Sequence, residues 1–309
     1  MKIHTLLCGV LSLALTIGSS QSKNNAPAPS EHTQTAAATA AVPQTHLGGC
    51  VLAAPAAEPP ANLYQESGVV PTDEYKPFTK KLSVYGITLI GRDDILDGFM
   101  RQVAKTITEM FPRKKTMDAG LQKELLRNLY RYRTVIPLFK GKEHKFSPAD
   151  KKDWDLTRSR NSICDIIMES VPGQVNEVVE HILHHVSDVG LQYTFPNDWG
   201  LSKTSRVYRA MQEAIEKKHY NIEQYNEDVS EEEKTRILIQ EFAYWVILTG
   251  WDLYVAYGPP AEWKGIRNPR DLKERLPLSY ALFEETIPKV MAPPSRATLD
   301  AFSRYEHQR

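Results

Sequence analysis

Apolar residues take on regular periods from about residue 75 onward, and the period changes along the chain. Leu82-Ser83-Val84-Tyr85-Gly86-Ile87-Thr88-Leu89-Ile90 is rich in apolar and β-branched side chains and ends at Gly91, which predicts a strand. Asp93 and Asp94 then offer N-caps for a helix to about Phe111, with Ile95, Phe99, Val103 and Ile107 at four-residue steps and Pro112 as the stop. A second helix is expected over roughly Gly120 to Tyr130. A strand follows over Thr134 to Phe139, then a charged loop. After Pro172-Gly173 the pattern turns helical. Val175, Val178, Val179, Ile182, Val186 and Val189 form one stripe, with Gly190 as C-cap. Lys203 to His219 predicts another helix, Ser230 with Glu233 opens a further one through a capping box, and Leu278 to Val290 supplies the last. Strands first and helices afterwards imply an α+β fold, a helix-rich single domain with a short N-terminal sheet followed by a helical half.

The preceding residues behave differently. Lys2, the apolar run Leu6 to Ile17 and the small residues Gly18-Ser19-Ser20 have the form of a secretory signal over residues 1–21. That run is shorter than the ~20 residues a membrane helix needs, although a retained anchor is the alternative. Residues 22–74 are expected to form a disordered leader, because the Ala/Pro/Ser/Thr-rich stretch from Ser22 to about Asn62 lacks large apolar side chains to offset its ordering entropy. The globular domain is expected over residues 75–293, with a polar tail at 294–309, and about 220 residues suit one core. A secreted or periplasmic protein with no membrane span after signal removal follows from this reading.

Composition narrows the function. The chain has 309 residues with 38 Lys and Arg against 38 Asp and Glu, and no large basic cluster, which argues against nucleic-acid binding. Of its cysteines, Cys8 leaves with the signal. Export permits a disulfide between Cys50 and Cys164, but the position of Cys50 in the expected leader weighs against a structural bridge. Leu47-Gly48-Gly49-Cys50 has the form of a lipobox without the apolar stretch that should precede it. No Cys-x-x-Cys pair supports thiol redox chemistry or a Cys-rich zinc site. Gly-x-Ser-x-Gly and a Gly-rich phosphate loop are both absent from the sequence. The aromatic stretches Tyr193 to Trp199 and Trp251 to Trp263 fit either a binding cleft or ordinary packing.

Two expected helices carry candidate chemistry. Glu180, His184 and Asp188 recur every four residues, so they share one helix face, as a helical metal site requires. That face lies opposite the valine stripe, where an amphipathic helix places its solvated residues. His181 and His185 form a second pair at the same spacing. The segment Ile237 to Trp251 is apolar nearly all round, and Glu241 is its one charge. A carboxylate buried there needs a partner: a core Arg or Lys, or His184 and a divalent metal shared across two helices.

A His-bearing helix followed by a carboxylate on a second helix resembles the layout of gluzincin metallopeptidases, which implies a zincin-like fold and a zinc ion. The chain has no His-Glu-x-x-His, and with His181 and His185 as ligands Ile182 would stand at the general-base position. Glu180-His181-Ile182-Leu183-His184 with Val189-Gly190, and downstream Glu241-Phe242-Ala243-Tyr244-Trp245, resembles more closely a family of exported, metallohydrolase-like proteins. That family carries Glu-Glu-x-Leu-His-x-x-x-His-x-Gly and then Glu-Tyr-x-Tyr-Trp. Glu180, His184 and Glu241 match its pattern, His181 replaces the second Glu, and Asp188 stands in place of a His. The two-helix constellation leads to the expectation of a metal-dependent, peptidase-like hydrolase acting on a peptide or polymer. Its metal ligands would be His184, Asp188 and Glu241, with Glu180 as ligand or catalytic base and zinc as the expected ion. The alternative is a non-catalytic envelope or extracellular binding protein on the same fold with a degenerate site.

Overall fold

Val70–Pro71 (β1), Lys80–Val84 (β2) and Ile87–Gly91 (β3) pair antiparallel in succession, so the expected strand over Leu82 to Ile90 is a hairpin. Tyr85 and Gly86 at its tip have φ of 48° and 85°, the left-handed pair that a two-residue hairpin turn demands. Gly86 is also required sterically, because a Cβ there would sit 2.5 Å from the Leu126 carbonyl oxygen. The computed structural model describes residues 45–46, 50–142, 144–225, 229–259 and 263–306. The expected signal falls outside them.

Helices Asp97–Met110 (α1) and Ala119–Arg131 (α2) lead to strand Thr134–Lys140 (β4), which pairs parallel with β3. The expected charged loop after β4 contains helix Pro148–Ser159 (α3), started by a Ser147/Asp150 capping box. It leads to Ile167–Glu169 (β5), parallel to β4, completing a five-stranded mixed sheet in sequence order. β4 is an interior strand, buried over its first six residues, as strands covered on both faces are. Its alternate side chains feed two cores. Ile136 and Leu138 join the main core, while Val135 and Phe139 pack with Phe78 and Trp154 of α3.

The helical half comprises Gln174–His185 (α4), Arg206–Glu216 (α5), Glu231–Gly250 (α6), Pro269–Arg275 (α7) and Pro277–Val290 (α8). α6 packs against α4, α5 and α8 and is buried from Arg236 to Thr249. The chain is therefore α+β, with a sheet in its N-terminal half followed by helices. The packed body begins before the expected boundary at Tyr75. Cys50, Val51, Leu52 and Leu63 are buried, Val51–Leu52 pairs with Thr45–His46, and Cys50 is bridged to Cys164. From Cys50 onward the leader reading does not hold, because it weighed overall composition and not the few apolar residues that dock; residues 22–44 of the expected leader lie outside the described residues. No helix among the described residues is long and apolar enough to cross a membrane.

Candidate functional site

The polar face of α4 is not solvated. His181, His184 and His185 are all buried, because α6 lies across them and the loop before β5 lies beside them. The two helices run antiparallel. Asn176 meets Tyr244, His184 meets Glu241 and Asp188 meets Arg236, one rising in number as the other falls. A polar ladder thus runs through an otherwise apolar helix contact.

Glu180, His184 and Glu241 form the central rung, with one ligand atom from each lying within 4.8 Å of the others. His184 Nε2 is 3.5 Å from Glu241 Oε2 and accepts or donates no hydrogen bond, although the residue is 1% exposed. Its other ring nitrogen, Nδ1, is 2.9 Å from Asp165 Oδ2. The Asn176 side-chain amide donates to Glu180 Oε2 at 2.6 Å, and the Tyr244 hydroxyl donates in turn to Asn176 Oδ1. Glu180 is half-buried and Glu241 is buried, so the rung opens toward solvent at Glu180.

Charge follows from this packing. Burial, reinforced by the Glu241 carboxylate, pushes the Glu180 carboxyl above its ordinary range. Burial alone would lower His184, but Glu241 and Asp165 hold it well above the ordinary histidine value. His181 is raised to about 10 against its burial, by Asp165 and Glu177. Asp165 is itself desolvated, yet the two imidazoles keep it below the usual carboxylate range. His185 differs: its Nδ1 donates to the His181 carbonyl at 2.7 Å and its Nε2 accepts from Cys164 N–H at 3.2 Å. Both nitrogens are spent, and burial takes its pKa down to about 4. His181 and His185 therefore do not form a ligand pair.

Of the residues singled out in the sequence, the structure brings Glu180, His184 and Glu241 together and leaves Asp188 apart. Asp188 Oδ2 lies 3.2 Å from Arg236 Nη1 and 3.6 Å from the Cys50 sulfur. Four residues of helix climb about 6 Å, so Asp188 reaches the next rung of α6 and not Glu241. Burial raises its carboxyl to about 6 despite the Arg236 charge. Gly190 does not cap the helix as expected. The chain continues as a π-helical segment, Val186–Leu191, and Gly190 lets α2 approach, since a Cβ there would meet Leu125 Cδ2 at 3.0 Å.

Sequence reasoning missed Asp165, Asn176, Glu177 and Arg236. Asp165 sits in a loop whose Ile166 N–H donates back to Asp165 Oδ1 at 2.8 Å, with Met168 N–H donating to Glu177 Oε1 at 2.8 Å. No helical or strand period marks such a loop. Asn176 was readable, being four residues before Glu180 on the same face. The aromatic stretches act in packing: Trp199, Trp251 and Trp263 are buried, Trp199 Nε1 donates to Thr286 Oγ1, and Tyr193 stacks on Tyr132.

Buried His, Asp and Glu groups that could hold a metal ion are thus present at the α4–α6 contact. No family model, no curated protein and no solved structure matches the chain.

Proposed function

We propose that this chain is an exported metal-dependent hydrolase, peptidase-like, whose divalent ion is held by Glu180, His184 and Glu241. The observation that supports the reading is His184 Nε2, which is buried, makes no hydrogen bond and faces Glu241 Oε2 at 3.5 Å while Nδ1 is fixed by Asp165. Metal-bound histidines are oriented in this way, with a carboxylate on the far nitrogen. Ligand distances near 2 Å require the three groups to close modestly from their present spacing. The mixed nitrogen and oxygen donors suit zinc among other divalent ions.

When bound, such an ion polarises a carbonyl and acidifies a water molecule. Glu180, at the solvent side and steadied by Asn176, would serve either as that ion's third ligand or, left unbound, as the base that accepts a proton at its carboxylate. His181, kept charged by Asp165 and Glu177, adds a fixed positive charge one residue away. Export is supported by the signal-like N-terminus and by the Cys50–Cys164 disulfide, a bond of oxidising compartments.

The test is elemental analysis of the untagged chain beside His184→Ala and Glu241→Ala, followed by a peptide-hydrolysis screen. Near-stoichiometric metal lost in both variants, with hydrolysis lost alongside, is the expected result. A metal-free wild type that gains no thermal stability from zinc, manganese or calcium would exclude the hydrolase.

A second reading, a non-catalytic binding protein on the same fold, is favoured by the charge on His184. A proton on Nε2 can serve Glu241 in place of an ion, leaving a structural network. In that case His184→Ala lowers stability but changes no metal content.

A further inference from the structure

A second buried cluster lies one rung away, unused by the proposed reaction. Cys50, Cys164 and Asp188 place their sulfur and carboxylate atoms within 4.8 Å of one another, and the two sulfurs are bonded. Asp188 is fully buried, and its Oδ1 has no hydrogen-bond partner, nor does Nε of the facing Arg236. Native interiors leave few such atoms unsatisfied, and each calls for an explanation. Asp188 lies on the π-helical segment, a wide turn that is frequent at functional sites.

We propose that Cys50, Cys164 and Asp188 form a redox-gated site for a thiophilic divalent cation of the zinc class, closed while the disulfide is intact and open when it is reduced. Charge balance favours this ion. With the bridge formed, Asp188 and Arg236 neutralise each other. Reduction and ionisation add two thiolate charges in a buried place, and a doubly charged cation cancels them. A monovalent ion leaves an excess charge, which burial penalises heavily, so the competitor of the cation is the pair of thiol protons that it displaces. Two thiolates and one carboxylate supply three ligands, leaving a fourth tetrahedral position for water. A dithiol reductant passes two electrons and two protons to the bridge and becomes a disulfide itself. The S–S bond breaks, Cys50 and Cys164 become thiols, and capture of the cation sends both protons to solvent. Half-buried Cys164 is the sulfur a reductant reaches more readily than buried Cys50. None of this depends on the Glu180 centre.

The experiment titrates cobalt(II), a zinc surrogate, into the full chain, oxidised and after reduction by a phosphine that does not compete for metal. A thiolate-to-cobalt charge-transfer band should grow to one equivalent in the reduced chain and be absent from the oxidised one. The band should vanish in Cys164→Ser and persist in His184→Ala, which separates this site from the α4–α6 centre. In Asp188→Asn the affinity should fall at least tenfold. In a His184→Ala background, which removes the α4–α6 centre, zinc should also raise the melting temperature of the reduced chain and not that of its Cys164→Ser derivative. A reduced chain without the band overturns the proposal, and so does unchanged affinity in Asp188→Asn. A reduced chain that unfolds and is not refolded by zinc overturns it too, since a native-state site must draw the chain back to its fold.

Discussion

His184 puts its two ring nitrogens to different tasks, and the candidate site depends on that division. Nδ1 is committed to Asp165 at 2.9 Å, which fixes the ring and leaves Nε2 facing Glu241 and Glu180. Replacing Asp165 by Asn keeps the shape but removes the charge. Zinc affinity in a calorimetric titration should then fall roughly 10–100-fold. An unchanged affinity would remove Asp165 from any part in orienting His184. The raised His184 and Glu180 pKa values make a second expectation. Both groups hold protons that an ion must displace near neutral pH, so binding should release at least one proton. Titrations in buffers of different ionisation enthalpy measure this, and zero release would mean the ion binds elsewhere. Glu180, His184 and Glu241 were legible in the sequence because helical spacing puts side chains on a known face. Asp165 was not, because a loop held by Cys164 and Met168 has no period. Asp188 was misread because the antiparallel crossing that hands it to Arg236 is a tertiary fact.

Among the elements, α6 shows how a nearly all-apolar helix is fixed in place. Its last residue, Gly250, lies under Phe283 of α8, and a Cβ there would come within 2.5 Å of the ring. Gly250→Ala gains about 1 kcal/mol of helix propensity, yet overpacking costs about 1–3 kcal/mol. A net loss of stability in urea unfolding is expected, and a gain would mean the two helices can part freely. The join between α1 and the C-terminal segment is sensitive to pH. Burial acts to raise Glu109, but the Thr298 hydroxyl and Ser295 N–H, each at 2.7 Å, together with Lys105 bring it below its usual 4.5. A lowered folded pKa gives stability that is present above 4.5 and lost as pH falls through the folded value. Glu109→Gln should therefore cost about 1 kcal/mol at neutral pH, and the gap from wild type should close in acid. Most helices and β4 were legible to within a few residues, since strong periodicity and stops such as Pro112 mark them. The hairpin was hidden because Tyr85-Gly86 interrupts an apolar run without a polar signal. α3 was readable from Ser147-Pro148 and Asp150, a capping box overlooked among charges.

At the scale of the molecule, one covalent bond ties the N-terminal segment to the loop that carries Asp165. Cys50 and Cys164 are separated by 114 residues, a loop that contains the first four of the sheet's five strands. Closing a loop of that size restricts the unfolded chain by an amount worth roughly 4–5 kcal/mol in the chain-entropy model, with measured losses commonly about 2–5 kcal/mol. The segment has other anchors: Val51 and Leu52 are fully buried, Leu52 N–H donates to Ser162 Oγ, and Ile163 N–H donates to the Cys50 carbonyl. The double variant Cys50→Ser, Cys164→Ser should accordingly stay folded at neutral pH and lose about 2–5 kcal/mol in urea. The change should extend beyond stability. The bond ends one residue before Asp165, so its loss loosens the group that orients His184. Metal affinity at the α4–α6 centre should fall in the double variant, while Glu109→Gln, remote from that loop, leaves it unchanged. If the double variant loses stability but binds zinc at the wild-type affinity, packing alone holds Asp165. The disulfide then serves the fold and has no part in the site.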